Sequence, residues 1–151
     1  MEAAIAYLHF ASILALAGFL AAEFYLCTRD VQPPNVKTLA RVDVLYMIAA
    51  IAVLATGLLR VFAVGKGAAF YLQNPVFYIK LALFLAVGLI SIRPTLQFLR
   101  WSRALKAGED RILRDRDIAT ARRYIALELA LLTLIPLMAV LMSRGIGLQT
   151  S

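Results

Sequence analysis

Three basic side chains stand where hydrophobic stretches would place them inside a membrane. His9 is the only histidine and lies within an apolar run, while Arg60 and Lys80 lie in two further runs. An ionisable group in hydrocarbon is costly and marks a candidate functional site. A neutral imidazole can ligate a metal ion or haem iron, and a nearby cation can pair with an anionic group such as a propionate. We therefore take His9 as a candidate metal and cofactor ligand, and Lys80 and Arg60 as candidate catalytic residues.

A haem between helices would need a second axial ligand if the iron were six-coordinate, and the chain has no second histidine. Met138 and Met142 are the soft donors at a depth comparable to that of His9, and Met138 is the candidate. Each of these residues also has a plainer interpretation. Methionine commonly fills space in a core, histidine can hydrogen-bond between helices, and long basic side chains can extend their charged groups to the membrane surface.

Acidic residues form a second group toward the opposite face of the membrane. Glu23, Asp43 and Glu128 lie there together with Arg93. Charges inside membranes usually pair, which favours ion pairs with Arg93 or Arg41, but a proton path is the alternative. His9 and Glu23 are separated by a rotation of only about 40° on a helix, so both can face the same interior. The sequence leaves both interpretations open.

These residues must be positioned by membrane-spanning helices. Hydrophobic residues make up 62% of the 151, charged residues 17%, and the mean hydropathy is +0.81. Four stretches, at about 3–26, 44–64, 76–99 and 122–143, can cross a core of about 30 Å. Alternating strand patterns are absent, and a helix in lipid forms all of its backbone hydrogen bonds internally. The sequence predicts an all-α, integral membrane four-helix bundle that forms a single domain over residues 1–151.

The distribution of basic residues predicts the orientation of the bundle. Of the Lys and Arg residues, 12 fall on the side of the first and third connections and 4 on the other side. The positive-inside rule then places both termini outside and those connections in the cytoplasm. The basic third connection also carries acidic residues and no recognition motif, so we expect contact with lipid headgroups and no nucleic-acid partner. Cys27 is the only cysteine, at the predicted cytoplasmic end of the first helix, where we expect a reduced thiol.

Four segments carry a resemblance to known proteins: Tyr7–Phe10, Arg41–Asp43, Ala55–Leu58 and Phe70–Lys80. Together they resemble a bacterial inner-membrane family catalogued as a domain of unknown function, family 2214, over nearly the whole chain. This resemblance implies a multi-pass protein of the bacterial inner membrane with four spans. A more distant similarity is to HemJ-type protoporphyrinogen oxidases and CopD-like membrane proteins. In the HemJ type a first-helix histidine and a lysine opening the third helix are the functional pair, and His9 and Lys80 occupy those places.

The leading prediction for function is therefore haem b binding for membrane redox chemistry, with oxidation of a porphyrinogen or quinol implied by the resemblance. A porphyrin or quinone would then be a partner, and we also expect a homo-oligomer. Two alternatives remain. The protein is a non-enzymatic carrier or transporter subunit that uses the same polar residues for a metal ion or proton, or it is a structural partner in a membrane assembly.

Overall fold

The computed structural model describes residues 1–28, 33–64, 68–108 and 115–144, and these are helical with short turns. The elements are α1 Glu2–Leu26, α2 Pro33–Leu59 continuing as a π-helix over Arg60–Val64, α3 Ala68–Leu72, α4 Pro75–Lys106 and α5 Asp115–Ser143. All except the short α3 are long and apolar enough to cross a membrane. The prediction of an all-α membrane bundle with four spanning helices is confirmed.

The four long helices form two tightly packed pairs. α1 packs along α2 and α4 packs along α5, while α2 meets α4 and α1 meets α5 across a looser seam. Neighbouring helices run antiparallel, so His9 near the start of α1 bonds to Thr56 near the end of α2. We call the end where α1 begins and α5 ends the outer end, in line with the orientation that the sequence predicts, and the opposite end the inner end. The core includes Leu16, Leu20, Phe98 and Ile125.

The helices extend beyond the predicted spans at the inner end. α2 begins at Pro33, α4 continues to Lys106 and α5 begins at Asp115. Hydropathy detects only the part of a helix that lies in hydrocarbon, whereas a helix can continue into water when its neighbours pack against it. α4 ends where Gly108 takes a left-handed φ of 71°, a conformation that glycine adopts without strain.

The surface around the sides of the bundle is strongly apolar. Large side chains such as Leu14, Leu89 and Val140 are 73%, 68% and 53% exposed. A soluble monomer does not present an apolar surface of this extent to water. On four spanning helices the same surface contacts the acyl chains of a lipid bilayer, which is the partner that the composition predicts.

Candidate functional site

The first polar cluster lies near the outer end and centres on His9, which is only 6% exposed. Its Nδ1 lies 2.9 Å from Oγ1 of Thr56, and that hydroxyl lies 2.6 Å from the carbonyl oxygen of Ala52. A carbonyl can only accept, so the single hydroxyl proton of Thr56 goes to Ala52. His9 must then donate from Nδ1. In its neutral form this leaves the lone pair on Nε2, the atom that could ligate a metal.

Gly57 makes this placement of the imidazole possible. A Cβ atom at position 57 would lie 3.2 Å from Cε1 of His9 and 3.8 Å from Nδ1. The ring therefore rests directly on the backbone of α2, one residue beyond its hydrogen-bond partner. Any larger side chain at position 57 would force the ring to shift.

Arg60 and Lys80 complete the outer cluster. Both side chains are partly buried and interact electrostatically with His9. The guanidinium of Arg60 lies over the ring of Phe10, with Cζ 5.5 Å from its centroid, a cation–π geometry. Arg60 also begins the π-helix, a local widening that is frequent at functional sites. The structure thus brings His9, Arg60 and Lys80 together, as the sequence predicts. Among the described residues, no carboxylate forms an ion pair with any of the three.

Met138 lies on α5 and is partly buried, as is Met142. α5 runs antiparallel to α1, because Cys27 at the end of α1 lies beside Ile118 near the start of α5. Met138 is therefore near the level of His9 along the bundle axis. The direct polar contact of His9 is nevertheless with α2, through Thr56. The role of Met138 as a ligand stays a prediction.

The second polar cluster lies in the inner half of the bundle and consists of three carboxyl groups, one each from α1, α2 and α5. Glu23 is 1% exposed, Asp43 is 4% exposed and Glu128 is 0% exposed. They are close enough to interact electrostatically with one another. Two hydroxyl groups donate to this cluster: Oη of Tyr46 to Oε2 of Glu128 at 3.1 Å, and Oγ1 of Thr95 to Oδ1 of Asp43 at 2.8 Å.

Two oxygen atoms of this carboxyl cluster have no hydrogen-bond partner, Oε1 of Glu23 and Oε1 of Glu128. Arg93 and Arg41, the predicted ion-pair partners, are both exposed on the bundle surface. Within the described ranges no Arg or Lys forms an ion pair with the cluster, and no set of three His, Cys, Asp or Glu residues has the geometry to hold a metal ion. Among the described residues, the carboxyl cluster therefore has no counter-charge in an ion pair with it, and the outer cluster has no carboxylate in one.

A groove on the surface of the bundle leads toward the carboxyl cluster. Its volume is about 320 Å³, and it lies between α2 and α4 with one wall from α1. Apolar side chains form most of the lining, and polar atoms come from Tyr46, Ser91 and Thr95. Two of these three residues are the donors to Glu128 and Asp43. The groove is thus separated from Glu128 and Asp43 by a single layer of hydroxyl groups.

Sequence reasoning missed the polar residues that hold the clusters in place. Tyr46, Thr56 and Thr95 looked like ordinary span residues, although Tyr46 follows Asp43 by about one helical turn, which puts both on one face. In the sequence, Arg122 is simply one of the 12 basic residues on the side of the first and third connections. Its Nη1 donates to the carbonyl oxygen of Cys27 at 3.2 Å, at the negative end of the α1 dipole.

The fold and the two clusters define a class of protein, a four-helix integral membrane protein with ionisable groups buried at two depths. The chain belongs to the family described as "Predicted membrane protein (DUF2214)", whose model matches residues 1–147. This finding confirms the resemblance to that family. No curated protein and no solved structure matches the chain.

Proposed function

We propose that this protein is a proton-coupled carrier of the membrane, in which Glu23, Asp43 and Glu128 bind and release protons. The observation that carries the proposal is the burial of three neighbouring carboxyl groups, with no ion pair to any Arg or Lys within the described residues. This arrangement corresponds to the carrier alternative, with a proton as the transported or coupling ion.

The argument is electrostatic. Taking one carboxylate out of water is costly, and three adjacent carboxylates would in addition repel one another. Bound protons remove both penalties, because a protonated carboxyl group is neutral and can donate a hydrogen bond. A cluster of neighbouring carboxyl groups that can each bind and release a proton has the properties required of an intermediate station in proton transfer. Its position in the inner half of the bundle gives the shorter route to the predicted cytoplasmic side.

Infrared spectroscopy of the purified protein in lipid tests this proposal directly. At neutral pH we expect an absorption band from protonated carboxyl groups, which Glu23→Gln and Glu128→Gln should each diminish. The exposed Glu2 on α1 provides the control, because Glu2→Gln removes the same group from the helix surface and should leave the band unchanged. In liposomes with an enclosed pH indicator, Glu23→Gln and Glu128→Gln should each slow proton uptake, whereas Glu2→Gln should not.

Stability separates this proposal from the ion-pair alternative. Glutamine resembles a protonated glutamate in shape and charge, so Glu23→Gln and Glu128→Gln should leave the free energy of unfolding close to that of the unsubstituted protein. If the carboxylates instead paired with arginines drawn into the bundle, each substitution would strand a buried charge and destabilise the protein by about 3–5 kcal/mol. A missing carboxyl band together with such destabilisation would overturn the proposal.

Haem b binding is a second candidate, favoured by the hydrogen bond that fixes Nδ1 of His9 as the donor and leaves Nε2 to ligate iron. The donor chemistry fits one axial position, with Met138 as the predicted second ligand and Arg60 and Lys80 as partners for propionates. Haem would supply one-electron transfer, in line with the predicted oxidation of a porphyrinogen or quinol. The residues of the chain would orient the group and exclude water.

Absorption spectroscopy distinguishes this candidate from the carrier. Protein expressed with haem supply and purified in mild detergent should show a Soret band that His9→Ala abolishes and Thr56→Val shifts, since Thr56 anchors the imidazole. Colourless protein would rule out the haem candidate and leave the carrier proposal untouched.

A further inference from the structure

The groove between α2 and α4 is accessible from the lipid phase. Met47 and Ile51 on α2 and Leu96 on α4 line it and are 46%, 63% and 46% exposed on the surface that faces acyl chains. Its volume of about 320 Å³ lies within the range of small-molecule sites. A molecule dissolved in the bilayer could therefore enter sideways, without passing through either aqueous phase.

The polar part of the groove wall consists of three hydroxyl groups whose protons are already used. Tyr46 donates to Glu128, Thr95 donates to Asp43, and Ser91 donates to the carbonyl oxygen of Gly88 at 2.8 Å. Each hydroxyl has one proton, and in this arrangement that proton is used within the protein, so the wall presents the lone pairs of its oxygen atoms to a ligand. This wall suits a cation or a hydrogen-bond donor, and it does not suit a ligand that needs donors, such as a carbonyl or an anion.

The carboxyl groups behind these hydroxyl groups also favour a cation in the groove. Glu128 or Asp43, on losing its proton, places a negative charge one hydroxyl group away from the groove. None of the described residues that line the groove is basic, so none of them compensates this charge. In a medium of low dielectric constant such a charge acts strongly on a cation at short distance. The basic cluster of His9, Arg60 and Lys80 lies at the outer end and does not line the groove.

We propose that the groove between α2 and α4 binds a lipophilic organic cation in exchange for a proton from the carboxyl cluster. Apolar walls take the hydrophobic part of the molecule, and the hydroxyl oxygens together with the deprotonated cluster stabilise its charge. The inference rests on the proposed carrier function and names the substrate class of that carrier. Exchange conserves charge, because one proton leaves the cluster for each monovalent cation that binds.

Two glycines allow a matched test of the groove. Gly88 lines it, and a Cβ atom built at Gly88 meets no atom within 4 Å, so a side chain there begins in open space at the groove. Gly18 on α1 is equally open and exposed but lies outside the groove. With tetraphenylphosphonium as the probe and full-length protein in nanodiscs, Gly88→Leu should weaken binding about tenfold or more and Gly18→Leu should not change it.

The exchange predicts a distinct pH dependence. The affinity for tetraphenylphosphonium should fall as the pH is lowered, by up to about tenfold per pH unit where one proton is displaced. Binding in weakly buffered solution should release protons, and Glu128→Gln should reduce that release, whereas Glu2→Gln should leave it unchanged. Binding that does not depend on pH would contradict exchange, and equal binding by the Gly88→Leu and Gly18→Leu variants would contradict the site.

The failure of this inference can be told apart from the failure of the carrier function. If tetraphenylphosphonium does not bind while the carboxyl band remains and is lost in the Glu→Gln variants, the cluster handles protons and the substrate class is wrong. If a neutral quinone analogue binds instead, with a loss in Gly88→Leu and no proton release, the groove serves a different class of molecule and the inference is overturned.

Discussion

The hydrogen bond from Tyr46 to Glu128 offers a quantitative test of how the carboxyl cluster is held. Tyr46→Phe removes one hydroxyl and leaves the ring in place, so the packing of the buried side chain is conserved. Glu128 is fully buried and its Oε1 already lacks a partner, so the loss of the bond at Oε2 leaves the whole carboxyl group without one. The consequence is a buried carboxyl group with no hydrogen-bond partner in the protein.

The expected cost follows from that geometry. A buried group left without its partner costs about 1–3 kcal/mol in soluble proteins, and hydrogen bonds between membrane helices contribute about 0.6 kcal/mol on average and about 1.7 kcal/mol at most. Because both oxygens of Glu128 would be unsatisfied, we expect the upper part of the membrane range, about 1–2 kcal/mol. The Tyr7→Phe substitution is the control, since Tyr7 is 73% exposed and should lose less than about 0.5 kcal/mol.

Unfolding in mixed micelles, followed by the fluorescence of Trp101, measures these changes. Trp101 is the only tryptophan and is buried, with its ring centroid 5.7 Å from that of Phe98, so loss of packing should alter its emission. A double-mutant cycle isolates the bond, because Tyr46→Phe should cost about 1 kcal/mol less in a Glu128→Leu background, where no carboxyl group remains unsatisfied. Equal stabilities for Tyr46→Phe and Tyr7→Phe would refute the reasoning.

Three further predictions concern other parts of the bundle. In a Cys27→Ser background, a cysteine at the exposed Gln73 should react with an impermeant maleimide in intact cells and one at Lys106 should not; the reverse pattern would invert the assigned topology. Burial raises the pKa of the Cys27 thiol from 9.0 to about 11. At pH 8 iodoacetamide should therefore alkylate Cys27 at least about 100-fold more slowly than a cysteine at Lys106, and the rate at Cys27 should increase with pH up to about pH 11. Comparable rates for the two thiols at pH 8 would contradict a buried thiol. Finally, Gly18→Ala should stabilise the protein by up to about 1 kcal/mol through helix propensity, whereas Gly57→Ala should gain less and shift the imidazole nitrogen resonances of His9, because its Cβ lies 3.2 Å from that ring.

The sequence alone determined the helices and the depth of their ionisable groups. A helix can cross the hydrocarbon core of a membrane because it forms its backbone hydrogen bonds internally. Four long apolar stretches therefore define four spans, and the position of His9 or Glu128 within its span gives its depth along the bundle axis. The inner ends of α2, α4 and α5 could not be read in the same way. The helical turns at these ends lie beyond the hydrocarbon core, where packing between neighbouring helices stabilises them.

The partners of the ionisable groups depended on tertiary structure. In water, the apolar side of a helix reveals its buried face, but in lipid both the buried and the lipid-facing sides are apolar. Leu16 and Leu14 illustrate this, since the first is 1% exposed and the second is 73% exposed, and nothing in their chemistry distinguishes them. The rotation of each helix about its axis is therefore fixed only by contact with its neighbours. That rotation turns Arg93 to the surface and brings Tyr46 and Thr95 to the carboxyl cluster.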